Sequence, residues 1–410
     1  MTDTLKPRDG KDAEAAVQWA LAEGKALELV GQGSKRAIGR PAQTDLTLDL
    51  SGLSGVTLYE PEELVLSAKA GTPLAEIEAL VAAKGQQLAF EPMDYAQILG
   101  AFAGRGTIGG ALAANLSGPR RIKAGAARDH FLGLTAVSGR GETFKSGGRV
   151  VKNVTGYDLC KLIAGSWGTL AAMTEVTIKT LPRPETEQTL LIRALEPQRA
   201  VEAMTAAIGS SCDVSGAAHL PAGVAARIPS GEIAGAGGAV TALRLEGFAP
   251  SVAHRKRMLE PLMKPFGDLV SVGEMVSQAL WRAVRDVTPF AASRNGLDRP
   301  LWRVSTAPSR GAELAAIVAK RAEAQMLYDW AGGLIWLALD PSDDAGAALV
   351  RRAVAAIGGH ATLIRAPAST RAAINVFEPQ DAAVAALTKR VKESFDPKGV
   401  LNPGRMWAGV

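Results

Sequence analysis

Three glycine-dense segments constrain this chain more than any other feature. They are Gly31-Gln32-Gly33-Ser34-Lys35 with Gly39 behind it, Gly106-Thr107-Ile108-Gly109-Gly110, and Gly165-Ser166-Trp167-Gly168-Thr169-Leu170. Glycine lets a backbone bend tightly or approach a ligand closely. Consecutive N–H groups turned into one concavity form a seat for phosphate oxygens. Taken singly, each segment reads equally well as a packing turn. The first is no Walker loop, because no Gly-Lys-Ser/Thr closes it, and its third glycine falls too late for the usual dinucleotide fingerprint.

The runs around these segments alternate between helix and strand periods. Ala13 to Glu23 and Pro73 to Lys84 have helical spacing, the second with Pro at its start and Gly85 at its end. Ala26 to Val30, Leu46 to Leu50, Val56 to Tyr59, Leu64 to Lys69 and Gln87 to Phe90 read as strands. Phe131 to Val137, the Gly139-Arg140-Gly141 turn and Glu142 to Phe144 read as a hairpin. A loop, a helix and the strand Met173 to Lys179 fill Lys152 to Thr180. After Pro182 and Pro184 the texture changes to short strands, among them Thr189 to Arg193, Val240 to Glu246, Leu301 to Ser305 and Gly333 to Leu339, between Ala-rich helices. That pattern predicts an α+β unit with an antiparallel sheet.

At 410 residues the chain is too long for one ordinary core, so two or three domains are expected. The net charge of +5 is spread along the chain and favours an anionic ligand without pointing to nucleic acid; with 5% aromatic residues, base-stacking platforms are not expected. The only cysteines, Cys160 and Cys212, are far apart. They exclude a disulfide scaffold and any iron–sulfur cluster built from this chain alone, which needs about four thiolates. Cysteine usage suits a reducing cytosol. The polar start lacks an apolar signal region, and no run approaches the ~18 apolar residues of a membrane span. The expected location is therefore cytoplasmic, with membrane contact only indirect, through partners at the inner face.

In their order the glycine segments resemble the FAD-binding domain of the vanillyl-alcohol oxidase, or PCMH, type. In that family a first glycine loop holds the pyrophosphate, a TIGG-type segment lies along the flavin and ribityl chain, and a TGYDL…GSxGTL segment completes the pocket. The equivalents are Gly31 to Lys35, Thr107 to Gly110 and Thr155 to Leu170. The stretch Phe395-Asp396-Pro397-Lys398-Gly399-Val400-Leu401-Asn402-Pro403-Gly404-Arg405 is similar to the tail of the 2-hydroxy-acid branch. Ser117 to Arg121, Arg128-Asp129, Lys152 to Val154, Leu301 to Arg303, Asp329 to Gly333 and Gly358 to Thr362 extend the likeness to the small flavoprotein subunits of bacterial glycolate oxidases.

This resemblance implies an α+β fold: a PCMH-type two-subdomain FAD-binding domain over residues 1–184, an antiparallel α+β cap domain of the FAD-linked oxidase type over 185–390, and a C-terminal segment, 391–410, returning to the FAD domain. It implies FAD, held non-covalently because positions 31 to 41 carry no His for attachment. The cofactor contacts it assigns are Gly31, Gln32, Gly33, Ser34, Lys35, Gly39, Pro92, Gly106, Thr107, Ile108, Gly109, Gly110, Asn115, Ser117, Gly118, Arg120, Arg128, Asp129, Lys152, Asn153, Gly156, Tyr157, Asp158, Gly165, Gly168 and Asn402. Bland alternatives stand beside several of these. Arg128-Asp129 reads as a surface pair, Asp158 as the start of a helix, and the basic cluster Arg120, Arg121, Lys123 and Arg128 as a solvated face, a docking face for an acidic partner or the source of an FAD-phosphate contact. At least one ligand or partner contact is favoured, because the cluster lies between two assigned flavin-binding segments.

Catalytic members of the 2-hydroxy-acid branch carry a His-x-His…Gly-Asp-Gly-Asn metal motif. Here His130, His219, His254 and His360 lie at no ligand spacing, and Asp329-Trp330-Ala331-Gly332-Gly333 stands where the motif would fall. No metal is expected and the catalytic residues are unassigned. Arg303, as a carboxylate fork, and His360, as a proton acceptor, are the candidates for substrate binding. The resemblance implies a subunit of a glycolate oxidase complex, taking glycolate or a similar 2-hydroxy acid, with a larger flavoprotein subunit and an iron–sulfur subunit as partners. A self-sufficient dehydrogenase of D-lactate or a like acid, and a non-catalytic assembly subunit, are the alternatives. A UDP-sugar reductase fits the tail less well.

Overall fold

The computed structural model describes residues 3–149, 156–292 and 298–410. Ala13, Val17 and Ala20 share one face of the helix Gly10–Ala22, and that face is fully buried. It closes over a three-stranded parallel sheet in which Leu46–Asp49 lies between Asp3–Leu5 and Leu27–Val30. The second small sheet has five antiparallel strands in the order Val56–Glu60, Val65–Lys69, Ala171–Lys179, Phe131–Ser138, Thr143–Gly147. The helix Leu74–Ala82 turns Leu74, Ile77 and Val81 inward against it.

The later strands form one eight-stranded sheet. Its order is Leu269–Val272, Thr186–Arg193, Val240–Gly247, Gly216–Leu220, Ala324–Asp329, Leu334–Leu339, Leu301–Ser305, His360–Arg365. Every pairing whose register is defined is antiparallel. Successive side chains point to opposite faces, and both faces are covered. Ile335, Leu337 and Leu339 pack under the helices Pro197–Ile208, Gly311–Ala319 and Ala347–Ile357. Leu334, Trp336 and Ala338 face the N-terminal half and share a core with Phe90, Met93, Tyr95 and Ile98. Double coverage is why this strand reads as an unbroken apolar run.

The tail is anchored by buried charges. Asp396 accepts the amides of Val400 and Leu401, both at 2.8 Å, and the Lys392 ammonium at 2.7 Å. Lys392 also donates to the Thr169 carbonyl at 2.7 Å. Leu401 then pairs with Leu27 in the three-stranded sheet. One sequence reading is corrected. Gln87 to Phe90 is not a full strand: only Gln86–Gln87 pairs, with Leu181–Pro182, while Leu88, Ala89 and Phe90 enter the core without a ladder. A short apolar run does not distinguish a strand from buried extended chain.

Candidate FAD and substrate site

The strand Leu27–Val30 delivers the loop 31–35 to the edge of a groove with two arms. The first arm, about 700 Å³, is lined by Gly31, Gln32, Gly33, Ser34 and Lys35, by Thr107, Gly109 and Gly110, and by Trp167, Gly168, Ala171 and Arg405, among others. The second, about 1260 Å³, runs between the two halves past Tyr95, Asn115, Ser117, Arg121, Arg128, Gly165, Arg303 and His360. Ala114 and Trp167 line both arms and so join them.

The glycines of the first arm are required by close approach. A Cβ on Gly31 would sit 2.6 Å from Thr107 Oγ1, and one on Gly109 would sit 2.7 Å from Ala70 Cβ. Gly33 holds φ at +75°, in the region only glycine enters freely. Thr107 caps the short helix Ile108–Ala113 by accepting the Gly110 amide at 3.2 Å. Two cations converge here. Burial pushes Lys35 down to about 8, Arg405 adding to the effect and Asp94 opposing it. Arg405 donates to the Lys35 carbonyl at 2.9 Å, and its Nε is buried with no partner among the described residues. Burial also lowers Arg405, to about 10. An open glycine loop beside two cations, one with an orphaned N–H, suits a diphosphate: the anion would supply the missing acceptor and raise both depressed pKa values.

Several candidates are placed elsewhere. Arg120 is the clearest correction. Its guanidinium is committed to Glu91 at 2.8 Å and to Glu246 at 3.0 Å, in a separate polar cleft. Asn402 is buried with its amide used at both ends, accepting from Leu29 N and donating to the Trp167 carbonyl, each at 2.9 Å. It therefore positions the groove wall. Ile108 and Pro92 are buried and line neither arm. Gly106 packs on Leu74, Gly118 on Glu91 and Gly39 on Arg405. Asp129 accepts the Ala126 amide. Asp158 caps the helix Leu159–Ile163 by accepting from Lys161 N. The Tyr157 ring is 90% exposed and neither it nor Gly156 lines an arm. Lys152 and Asn153 lie outside the described residues. In the second arm, Asn115 holds φ at +49° and accepts the Arg128 amide at 3.0 Å, and Ser117 accepts the Ala127 amide at 3.0 Å.

Tyr95, Arg121, Trp167 and Arg405 line the groove without having been among the expected contacts. Arg121 carried a signal as a member of the basic cluster, Trp167 as part of the 165–170 segment and Arg405 as the end of the tail motif, whereas Tyr95 carried none. His360 borders the second arm, its pKa lowered by the packing around it and then by the charge of Arg303. Cys160 is buried and its thiol is pushed up to about 12, which marks it as inert packing. Among the described residues no three His, Cys, Asp or Glu side chains form a metal-binding group.

Two small sheets, a cap sheet and a two-armed groove between them define an FAD-binding flavoprotein of the PCMH type. A family model described as an FAD binding domain matches residues 4–147. The chain is 33% identical over 393 residues to glycolate oxidase subunit GlcE of Escherichia coli (strain K12), covering 96% of this chain and 95% of that one. It is 26% identical over 399 residues to glycolate oxidase subunit GlcD of Bacillus subtilis (strain 168), covering 90% and 80%. Among solved structures, 4-ethylphenol oxidase from Gulosibacter chungangensis shares the fold with a TM-score of 0.70 at 13% identity, over 99% of this chain and 89% of that one. The chain belongs to the FAD-linked oxidoreductase family that contains the glycolate oxidase subunits.

Proposed function

We propose that this chain is the FAD-carrying subunit of a glycolate oxidase complex that converts glycolate to glyoxylate and passes the electrons to an iron–sulfur partner. The observation that carries the reading is the second arm. It opens from the FAD groove and contains Arg303, a cation that makes no ion pair among the described residues. Bound FAD supplies a two-electron acceptor for the hydride leaving the substrate carbon. Lys35, Arg405 and the loop 31–35 would hold the diphosphate, without a covalent bond: among the described residues no Cys lines the groove, and its one His, His360, is in the arm remote from the glycine loop. Arg303 holds the substrate carboxylate. His360, kept neutral near pH 7 by its lowered pKa, takes the hydroxyl proton.

Both cysteines are buried and unpaired, so an electron-relaying cluster belongs to another chain. Among the described residues no helix is long and apolar enough to cross a membrane, and membrane contact would run through the partners. The test is anaerobic mixing of the FAD-loaded chain with glycolate, alone and with its partner subunits, while the flavin absorbance is followed. Bleaching only in the complex supports the reading. Bleaching of the isolated chain makes it a self-sufficient dehydrogenase, and no bleaching in either state removes the glycolate assignment.

A further inference from the structure

The second arm is lined by three side-chain donors, Tyr95, Arg121 and Arg303, that have no hydrogen-bond or ion-pair partner among the described residues. Tyr95 is 4% exposed, and its hydroxyl has no hydrogen-bond partner among the described residues. Arg121 and Arg303 make no hydrogen bond or ion pair there either; each rests on the Trp330 ring, 4.3 Å and 5.1 Å from its centroid. A cation over an aromatic face recovers only part of what water would have provided. Arg121 also feels the charge of Arg303, while Tyr95 and Asp329 are the groups whose charge acts on Arg303. Asp129 and Asp329 ease the two charges from a distance, but neither guanidinium is ion-paired among the described residues, and two partly buried like charges without a paired carboxylate are unfavourable in the empty protein. They become favourable when an anion arrives.

Trp330 itself is held by strain. Trp330, Ala331 and Gly332 take φ of +51°, +57° and +99° in succession. Such a conformation is strained for the two non-glycine residues. Asp329 accepts the Trp330 amide at 2.7 Å, and the indole Nε1 donates to the Gly118 carbonyl at 3.0 Å. The ring is thus pinned from both halves of the molecule, as a fixed shelf for the two guanidiniums.

We propose that Tyr95 and Arg121, both from the flavin-binding half, join Arg303 in a three-donor clamp on the carboxylate of a small 2-hydroxy acid. The clamp sets a preference for anionic substrates over neutral alcohols. Because its donors come from both halves, it exists only when the halves are packed together. This inference rests on the glycolate reading for the identity of the substrate, and its test is a binding measurement that needs no turnover.

The FAD-loaded full chain is titrated with oxalate, and with ethane-1,2-diol as an uncharged comparison, following perturbation of the flavin absorbance. Oxalate is expected to bind and the diol not. Arg121→Met and Arg303→Met should each raise the oxalate Kd by on the order of tenfold or more, and Tyr95→Phe by roughly three- to tenfold. Arg121→Lys should recover part of the loss. Lys123→Met, which changes a neighbouring cation paired with Asp213, should leave the Kd unchanged. An Arg121→Met or Tyr95→Phe protein that loads FAD and keeps the wild-type oxalate Kd within twofold overturns the clamp. So does an Arg121→Met protein whose flavin reduction potential shifts while its oxalate Kd does not. If Arg121→Met fails to load FAD, Tyr95→Phe alone decides. A wild-type protein that binds oxalate but is not reduced by glycolate, alone or in complex, sinks the substrate reading and leaves the clamp standing.

Discussion

Arg120 and Arg121 are neighbours in the chain and end in two polar regions between the same two halves of the molecule. Arg120 enters a cleft where Glu91, Glu187 and Glu246 surround it and Arg244. There each guanidinium has a carboxylate, and Arg244 is 1% exposed with a bidentate pair to Glu91 at 3.0 and 3.1 Å. Arg121 enters the second arm of the groove, where it lies over the Trp330 ring, feels Asp129 only through its charge, and forms no ion pair among the described residues. Adjacent residues in a helical turn project about 100° apart, and here that angle separates a structural charge from a free one. A buried charge that is paired holds a protein together; one left unpaired is held ready for a ligand.

The widest separation between the regions should be in stability. Arg244→Met leaves Glu91 and Glu246 short of a partner and should cost about 3–5 kcal/mol in urea unfolding. Arg303→Met removes a cation that makes no ion pair among the described residues and should change stability by less than about 1 kcal/mol. Equal losses would erase the distinction.

A second contrast is between the two arms. Lys35→Met should weaken FAD binding by about 1.5–3 kcal/mol, measured by fluorescence titration, and leave the oxalate clamp intact in protein saturated with FAD. Because Lys35 sits at about 8 in the free protein, binding of the diphosphate above that pH must take up a proton. The FAD Kd should be flat below pH 8 and rise by up to about tenfold per unit above it. Lys35→Met should remove the slope.

A smaller effect tests the paired cluster from its acidic side. Glu187 is pushed up to about 7, by burial first and by Glu246, against the pull of Arg244. The native state therefore holds a proton that the unfolded chain releases near pH 4.5. That contribution to stability is whole below pH 4.5, falls as pH rises to 7, and is gone above it. Glu187→Gln should flatten that fall and leave the protein about 1–2 kcal/mol more stable at pH 8 than the wild type. The smallest change expected is in Asp158→Ala: loss of a helix cap, about 0.5–1 kcal/mol, with no change in FAD affinity. A large loss of FAD would return Asp158 to the cofactor site.

The glycine loop, the hairpin, the helix after Pro73 and the tail were all legible in the sequence, since each is set by local backbone rules. Glycine at φ of +75° and Pro before a helix act at their own positions, whatever lies across the fold. Side-chain partners were harder to read. Asn402 looked like a cofactor contact because it stands in a motif, but its amide is used up by Leu29 and Trp167. Tyr95 gave no sign at all: a lone tyrosine is informative only once its hydroxyl is seen to lack a partner.

The sequence by itself determined where tight glycine turns would fall, because glycine at such a turn has no substitute, and it was the resemblance carried by their order that pointed to a flavin. Only the tertiary structure decided which charges are spent and which are free. Arg120, Arg121, Arg244 and Arg303 are chemically alike, and each one's role follows from whether a carboxylate, often more than 100 residues away, arrives beside it.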